Sequence, residues 1–208
     1  LDTAGTLFVL TSTRRLYALG EKTMDEKLSD LYKKHMYHVA LKITVNTTID
    51  NRLIYQKFGD HLYSKGDYAQ AVQQYIETIG YLDSSRVILK FLDAQFTTYL
   101  ASYLEVYHCH PEADVSTDHT TLLIDCFTKM HADEKLRNFI GLSSTSIYHN
   151  KKLSFDVENA IQVLRDAGYA TEALFLAKKH DHHLSYIQIQ LENLQDYNEA
   201  LNYLKSIS

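Results

Sequence analysis

The chain has 208 residues, enough for one or two domains with a sizeable core, and 45% of them are apolar, the composition of a folded rather than a disordered chain. Its formal charge of −5, from 21 basic and 26 acidic residues, comes without an extended Lys/Arg cluster, so the footprint of a nucleic-acid binder is missing. One proline, sixteen tyrosines and no tryptophan leave long unbroken runs that suit helices better than a turn-rich β-sandwich. Cys109 and Cys126 are the only cysteines. They are too few for a disulfide framework and point to a reducing, cytoplasmic setting. No apolar run reaches the roughly eighteen residues that cross a bilayer. There is no signal peptide, and Leu1 in place of an initiator Met reads as the start of an excised fragment. Asn46-Thr47-Thr48 is a glycosylation sequon that a cytosolic chain leaves unused.

Leu7 to Thr11 reads as a buried strand and Arg15 to Leu19 as an alternating one, with Ser12-Thr13-Arg14 as a short hairpin loop. Two strands are barely stable alone, so residues 1–22 are expected to be a hairpin torn from an upstream β domain. From residue 23 to 208 the period is helical. Thr23 with Glu26 forms a capping box. Tyr68, Ala71, Val72, Tyr75, Ile76 and Ile79 line one face of a helix predicted over 68–79, with Gln70, Gln73, Gln74 and Glu77 opposite. Further stripes follow: Phe96, Tyr99, Leu100, Tyr103 and Leu104; Leu122, Leu123, Cys126, Phe127 and Met130; Val157, Ala160, Ile161 and Leu164. The last are Ala170, Ala173, Leu174 and Ala177; Leu184, Ile187 and Leu191; and Tyr197, Ala200, Leu201 and Leu204. Short polar breaks separate them, and two longer ones, His110 to Asp118 with Pro111 and Gly141 to Ser154, read as loops or hinges.

Tyr68-Ala69-Gln70-Ala71-Val72 and Tyr197-Asn198-Glu199-Ala200-Leu201 share Tyr-x-x-Ala-aliphatic, each just after an Asp, and Gly168-Tyr169 with Ala173-Leu174 is a looser copy. Asp caps the helix, the aromatic packs on the preceding helix, and Ala permits close approach. Tyr55, Phe58, Gly59, Ala71 and Tyr75 fall at tetratricopeptide-like offsets, with Leu62 where that motif usually has Tyr. The residues expected to carry repeat packing are thus Phe58, Gly59, Leu62, Gly66, Tyr68, Ala71, Val72, Tyr75, Ala173, Leu174, Tyr197, Ala200 and Leu201. The fold class is all-α: an α-solenoid of antiparallel helix pairs with a short N-terminal β-hairpin.

Chemistry has two candidate clusters. His180, His182 and His183 lack the thiolates of a structural zinc site, and an interhelix loop with Asp181 as a cap explains them better. His108, Cys109, His110, His119 and Cys126 could suggest a Cys/His nucleophile, yet Cys126 sits on an apolar stripe, the place of an inert thiol. No glycine-rich phosphate loop or nucleophile elbow exists. No catalytic, cofactor or metal residue is therefore expected. Tyr81, Tyr148 and Tyr186, off the stripes, are candidate partner anchors, with core placement the plainer reading. Lys33-Lys34-His35 and Lys151-Lys152 are basic spots too small for lipid binding.

Gly59-Asp60-His61-Leu62-Tyr63-Ser64-Lys65-Gly66-Asp67, the run Ala71 to Gly80, and Lys90-Phe91-Leu92-Asp93-Ala94-Gln95 together resemble the vacuolar protein sorting-associated protein 11 family. The likeness extends through Asp118 to Leu123, Asp156 to Ile161 and Ile189 to Glu192, from about Leu7 to Leu204. It implies an N-terminal β-propeller ending in the Leu7 to Leu19 hairpin, an α-solenoid akin to clathrin heavy-chain repeats, and a C-terminal RING finger. With no C-x-x-C pair in this chain, the RING would lie outside it. Family members are core subunits of the HOPS and CORVET tethering complexes, peripheral on late endosome, lysosome or vacuole membranes, working with other tethering subunits and, indirectly, Rab GTPases and SNAREs. The expectation is a non-enzymatic scaffold segment, set against a peptide-binding helical-repeat adaptor whose concave faces would carry clustered charge and Asn.

Overall fold

The computed structural model describes residues 7–45, 47–142 and 156–207. Strands β1 (Leu7–Leu10) and β2 (Leu16–Leu19) form an antiparallel pair, Leu7 opposite Leu19 and Leu10 opposite Leu16. The loop closes where the Thr11 N–H donates to the Arg15 carbonyl at 2.9 Å. The first strand is not buried: Leu7, Phe8 and Leu10 are 62%, 61% and 71% exposed. Each strand has one neighbour, and among the described residues no layer covers either face.

Twelve α-helices follow among the described residues. They are α1 (Met24–Lys33), α2 (Tyr37–Thr44), α3 (Arg52–Ser64), α4 (Tyr68–Ile76), α5 (Ser84–Phe91), α6 (Thr97–Cys109), α7 (Thr117–Lys129), α8 (Asp133–Ile140), α9 (Val157–Asp166), α10 (Ala170–Lys179), α11 (His183–Gln188) and α12 (Tyr197–Ile207). A 3-10 turn, Ala94–Phe96, leads into α6, and a π-helical segment, Ile189–Leu194, continues α11. Helices of this length are marginal in isolation. Each is closed by its neighbour: α3 on α4, α4 on α6, α6 on α7, α7 on α9, α9 on α10 and α10 on α11. The buried side chains accordingly form one strip from Leu28 to Ile189, the layout of an α-solenoid of antiparallel pairs.

The starts of these helices are written in the sequence. The Thr23 hydroxyl accepts from the Glu26 N–H and the Glu26 carboxylate from the Thr23 N–H, the reciprocal box expected. Asp67, Asp156 and Asp196 accept from the N–H groups of Gln70, Asn159 and Glu199 at 3.2, 3.2 and 3.1 Å. Asp181 does not cap. It turns the chain at φ +57°, and α11 follows from the N-cap His182 with no side-chain cap bond. Asp tolerates the left-handed conformation well, and a tight turn took priority here.

The predicted 68–79 helix ends earlier, at Ile76. The Thr78 hydroxyl donates to the Tyr75 carbonyl at 2.6 Å and Gly80 reverses the chain at φ +82°, while Ile79 stays buried at 2% exposure. A second difference is one of phase. Leu184 is 80% and Leu191 39% exposed, whereas Tyr186 and Ile189 are 3% and 0% exposed. Tyr186, Ile189 and Gln190 also stand at i, i+3 and i+4, so the segment offers two helical faces. The one chosen buries a polar side chain, and the Gln190 amide donates to the Tyr186 hydroxyl at 3.4 Å. The wide π turn that follows resets the facing of the residues beyond it. Tyr186 is therefore core and no partner anchor. Helices α5 and α8, not singled out by stripes, bury Val87, Ile88 and Phe91, and Leu136, Phe139 and Ile140.

This phase is directly testable by urea unfolding. Tyr186→Ala should lower stability by about 3 kcal/mol, the scale of losing a buried aromatic. Leu184→Ala should stay within about 0.5 kcal/mol, as exposed positions do. Equal effects would restore the other face to the core.

Candidate repeat-packing and interaction site

Helices α3, α4 and α5 meet at Tyr75. Its ring is fully buried and sits against the bare Cα of Gly59, where an added Cβ would lie 2.9 Å from Cε1. Its hydroxyl donates to Asp60 Oδ1 at 2.7 Å. Asp60 also takes Lys90 Nζ at 3.0 Å and Arg86 Nη2 at 3.6 Å, so one carboxylate joins all three helices. Burial pushes the Asp60 carboxyl up, but the hydrogen bonds from Tyr75 and Lys90 and the charges of Lys90 and Arg86 outweigh it and hold it below the ordinary value. The Tyr75 hydroxyl is driven far above its ordinary value by burial, then by the Asp60 carboxylate. Tyr63 completes the node: its hydroxyl donates to the Lys90 carbonyl at 2.8 Å, under a Lys90 Nζ that lies 4.8 Å from the ring centre.

The other expected packing residues fall into two groups. Phe58, Leu62, Ala71, Val72, Ala173 and Ala200 are buried, Tyr68 and Leu174 are half-buried against the core, and Gly66 turns the chain between α3 and α4 at φ +81°. Tyr68 stands 4.5 Å from Phe96 and 5.2 Å from Tyr63, ring to ring. Tyr197 and Leu201, in contrast, are 61% and 55% exposed. Helix α12 meets the π segment through the Ala200 side, and among the described residues nothing covers its outer face.

The histidine and cysteine candidates do not converge. Among the described residues no three of His, Cys, Asp or Glu stand together as metal ligands. His108 is fully buried with Nδ1 2.7 Å from the Leu104 carbonyl, so that nitrogen carries the proton. His110 Nδ1 accepts the Glu112 N–H. Cys109 is exposed and Cys126 buried, with burial pushing the Cys126 thiol up to about 12. His183 Nδ1 lies 3.0 Å from the Tyr203 hydroxyl.

His119 comes nearest to catalytic geometry, with Nε2 3.2 Å from Ser84 Oγ. Its Nδ1, however, accepts the Ser116 N–H at 3.1 Å. A backbone N–H can only donate, so the ring proton sits on Nε2 and points at Ser84. A base for serine needs the reverse arrangement. His119 instead fills the capping-box position of α7, where Glu or Gln is usual, and ties it to the first turn of α5. Burial holds its pKa below the ordinary value despite Asp118, Asp114 and Asp83 nearby. Tyr81, 49% exposed, lines a cavity of about 390 Å³ with Glu112, Asp114 and His119. Tyr148, Lys151, Lys152 and Asn46 lie outside the described residues.

Stacked helix pairs, one apolar strip and no convergent reactive groups among the described residues define a repeat protein of the α-solenoid class. The chain belongs to the PEP5/VPS11 clathrin repeat family, whose pattern it matches over residues 63–208. It is 47% identical over 203 residues, 96% of its length, to the vacuolar protein sorting-associated protein 11 homolog of Mus musculus. Against the homolog of Dictyostelium discoideum it is 42% identical over 207 residues, 98% of its length. A RING finger protein of Plasmodium falciparum is 32% identical over 190 residues, 89% of this chain. The chain spans 21%, 21% and 14% of these relatives.

Gly59→Ala sets two effects against each other. Helix propensity favours Ala by about 0.5–1 kcal/mol, but crowding a packed interior costs about 1–3 kcal/mol. The Tyr75 ring is pinned by Asp60 and cannot retreat, so a net loss of about 1–2 kcal/mol is expected in urea melts. A gain in stability would show that the ring yields. For His119 the neutral form belongs to the folded state. Its contribution is complete above about pH 6.5, the unfolded value, and is lost as pH falls below it. His119→Gln keeps the cap acceptor without titrating. Its melting temperature should drop less than the parent's between pH 7.5 and 5.5, and an unchanged drop would clear His119 of the effect.

Proposed function

We propose that this chain is a non-enzymatic scaffold segment of a multisubunit tethering complex of the HOPS and CORVET kind, acting in protein sorting and membrane fusion at endosomes, lysosomes or vacuoles. Its family supports this, since the relatives are named for vacuolar protein sorting. The carrying observation is that each helix spends one face on its sequence neighbours and leaves the other outward. A stack of this kind grows long and holds several partners along its length. Those partners are other tethering subunits, with Rab GTPases and SNAREs engaged through them. Among the described residues no helix is long and apolar enough to cross a membrane, in keeping with a peripheral position on the membrane.

The hairpin supports a β-propeller ahead of the solenoid, with the boundary near residue 22. Leu7, Val9, Tyr17 and Leu19 project to one face and Phe8, Leu10, Leu16 and Ala18 to the other. Both faces are apolar, the pattern of strands covered on two sides, as in a propeller blade packed between others. A RING finger elsewhere in the full protein fits the name of the Plasmodium relative.

Deleting residues 24–207 from the full-length protein, followed by affinity capture of its complex and an organelle-fusion assay, tests the reading. Lost assembly identifies a docking role, and intact assembly with lost fusion identifies a spacer. Normal assembly and normal fusion would overturn the proposal.

A further inference from the structure

Two imidazoles hold the turn between α1 and α2 to α3. His35 occupies that turn at φ +55°. Its ring lies face to face on the ring of His61, with centroids 4.2 Å apart and planes 11° from parallel. Beside them Tyr37, 7% exposed, stacks on Phe58 at 5.2 Å and tilts against His61 at 5.4 Å. His38 meets Phe58 edge-on at 4.7 Å. The first helix pair is thus joined to the second by a column of rings, two of which stack directly and can each take a proton.

The groups around the pair do not favour two positive charges. Lys33 and Lys34 end α1, Lys65 follows His61 by one turn, and Lys57 Nζ stands 5.4 Å over the Tyr32 ring. Lys33, Lys34 and Lys65 sit at the carbonyl ends of α1 and α3, where a cation is already favoured, and Lys57 lies midway along α3. Of the carboxylates, Asp60 is committed to Tyr75, Lys90 and Arg86 and Asp30 to Lys22. Asp25 acts on Tyr32. The hydroxyls of Tyr32 and Tyr37 stay neutral, raised by burial.

We propose that the stacked His35–His61 pair is a pH-sensitive joint between the first helix pair and the rest of the solenoid, closed while the rings are not both protonated and released when both are. Two like charges on rings with centroids 4.2 Å apart repel one another, and water at the exposed His35 screens part of that repulsion. Burial, then His35 and Lys65, lower the His61 pKa. The closed joint therefore belongs to the less protonated state, is fully stable above about pH 6.5, and weakens as pH falls below it.

Hydrogen exchange read by mass spectrometry on the full-length protein, corrected for the intrinsic pH dependence of exchange, tests this at pH 7.5 and 5.5. Protection of peptides from 24–44 should fall about tenfold more than that of peptides from α9 and α10, the effect of about one pH unit of linkage. His61→Phe keeps an aromatic ring and should retain protection at pH 5.5. His35→Asn tolerates the left-handed turn and should shrink the pH response even if the first variant does not fold. A uniform loss across all helices in the parent would overturn the proposal, as would a His35→Asn variant whose 24–44 peptides respond to pH as the parent's do.

Discussion

The structure depends on the closure of each short helix by the next one along the chain. No helix in the series buries enough of itself to persist alone, and where two of them meet, the distance between backbones sets how much is buried. At α3 and α4 that distance is set by an absence: Gly59 offers no Cβ, and the Tyr75 ring takes the space. Full burial of such a ring contributes about 1.5–3 kcal/mol. The hydroxyl it carries would cancel much of that gain if left unpaired, and Asp60 prevents this.

Polar ties complement the apolar strip where helices distant in sequence meet. Helix α10 reaches α8 through three of them: Tyr169 to Asp133 at 2.7 Å, Arg137 to Glu172 at 2.9 Å, and Lys179 to the Ile140 carbonyl at 3.0 Å. Glu172 is 3% exposed. Burial alone would raise its pKa, yet Thr171 and Arg137 hold it below the ordinary value. Such a buried carboxylate adds little net stability, but its partners fix the angle at which α10 lies on α8. Arg52 and Glu112, 3.0 Å apart, do the same between the start of α3 and the Pro111 loop. That loop is held further where the Tyr107 hydroxyl donates to the Asp114 carbonyl. The span expected as a loop or hinge is thereby tied at two points.

Several reactive side chains among the described residues serve this framework. His119 caps a helix, His108 bonds its own helix backbone, and Cys126 fills the core. Burial lowers the His119 pKa and raises that of the Cys126 thiol, disfavouring the charged form of each. What the stacked pairs leave outward is helical surface, and the proposed scaffold role rests on that surface.

The sequence alone determined the class, several of the helix starts and most of the strip. The reason is local: Asp or Thr three residues before a free N–H, and apolar residues at i, i+3 and i+4, need no distant partner to be read. Gly59 and Tyr75 were legible as separate repeat positions, while their meeting is decided by how α4 lies on α3. Tertiary structure decided what two faces could satisfy equally. Tyr186, Ile189 and Gln190 went inward over Leu184 and Leu191, and no local rule chooses between them, since α10 supplies the wall. It also decided the roles of histidines far apart in sequence. His119 had no role assigned from sequence and acquires one as a helix cap through the Ser116 N–H, and His35 stands 26 residues from the ring it stacks on. Such contacts depend on where separate helices come to rest.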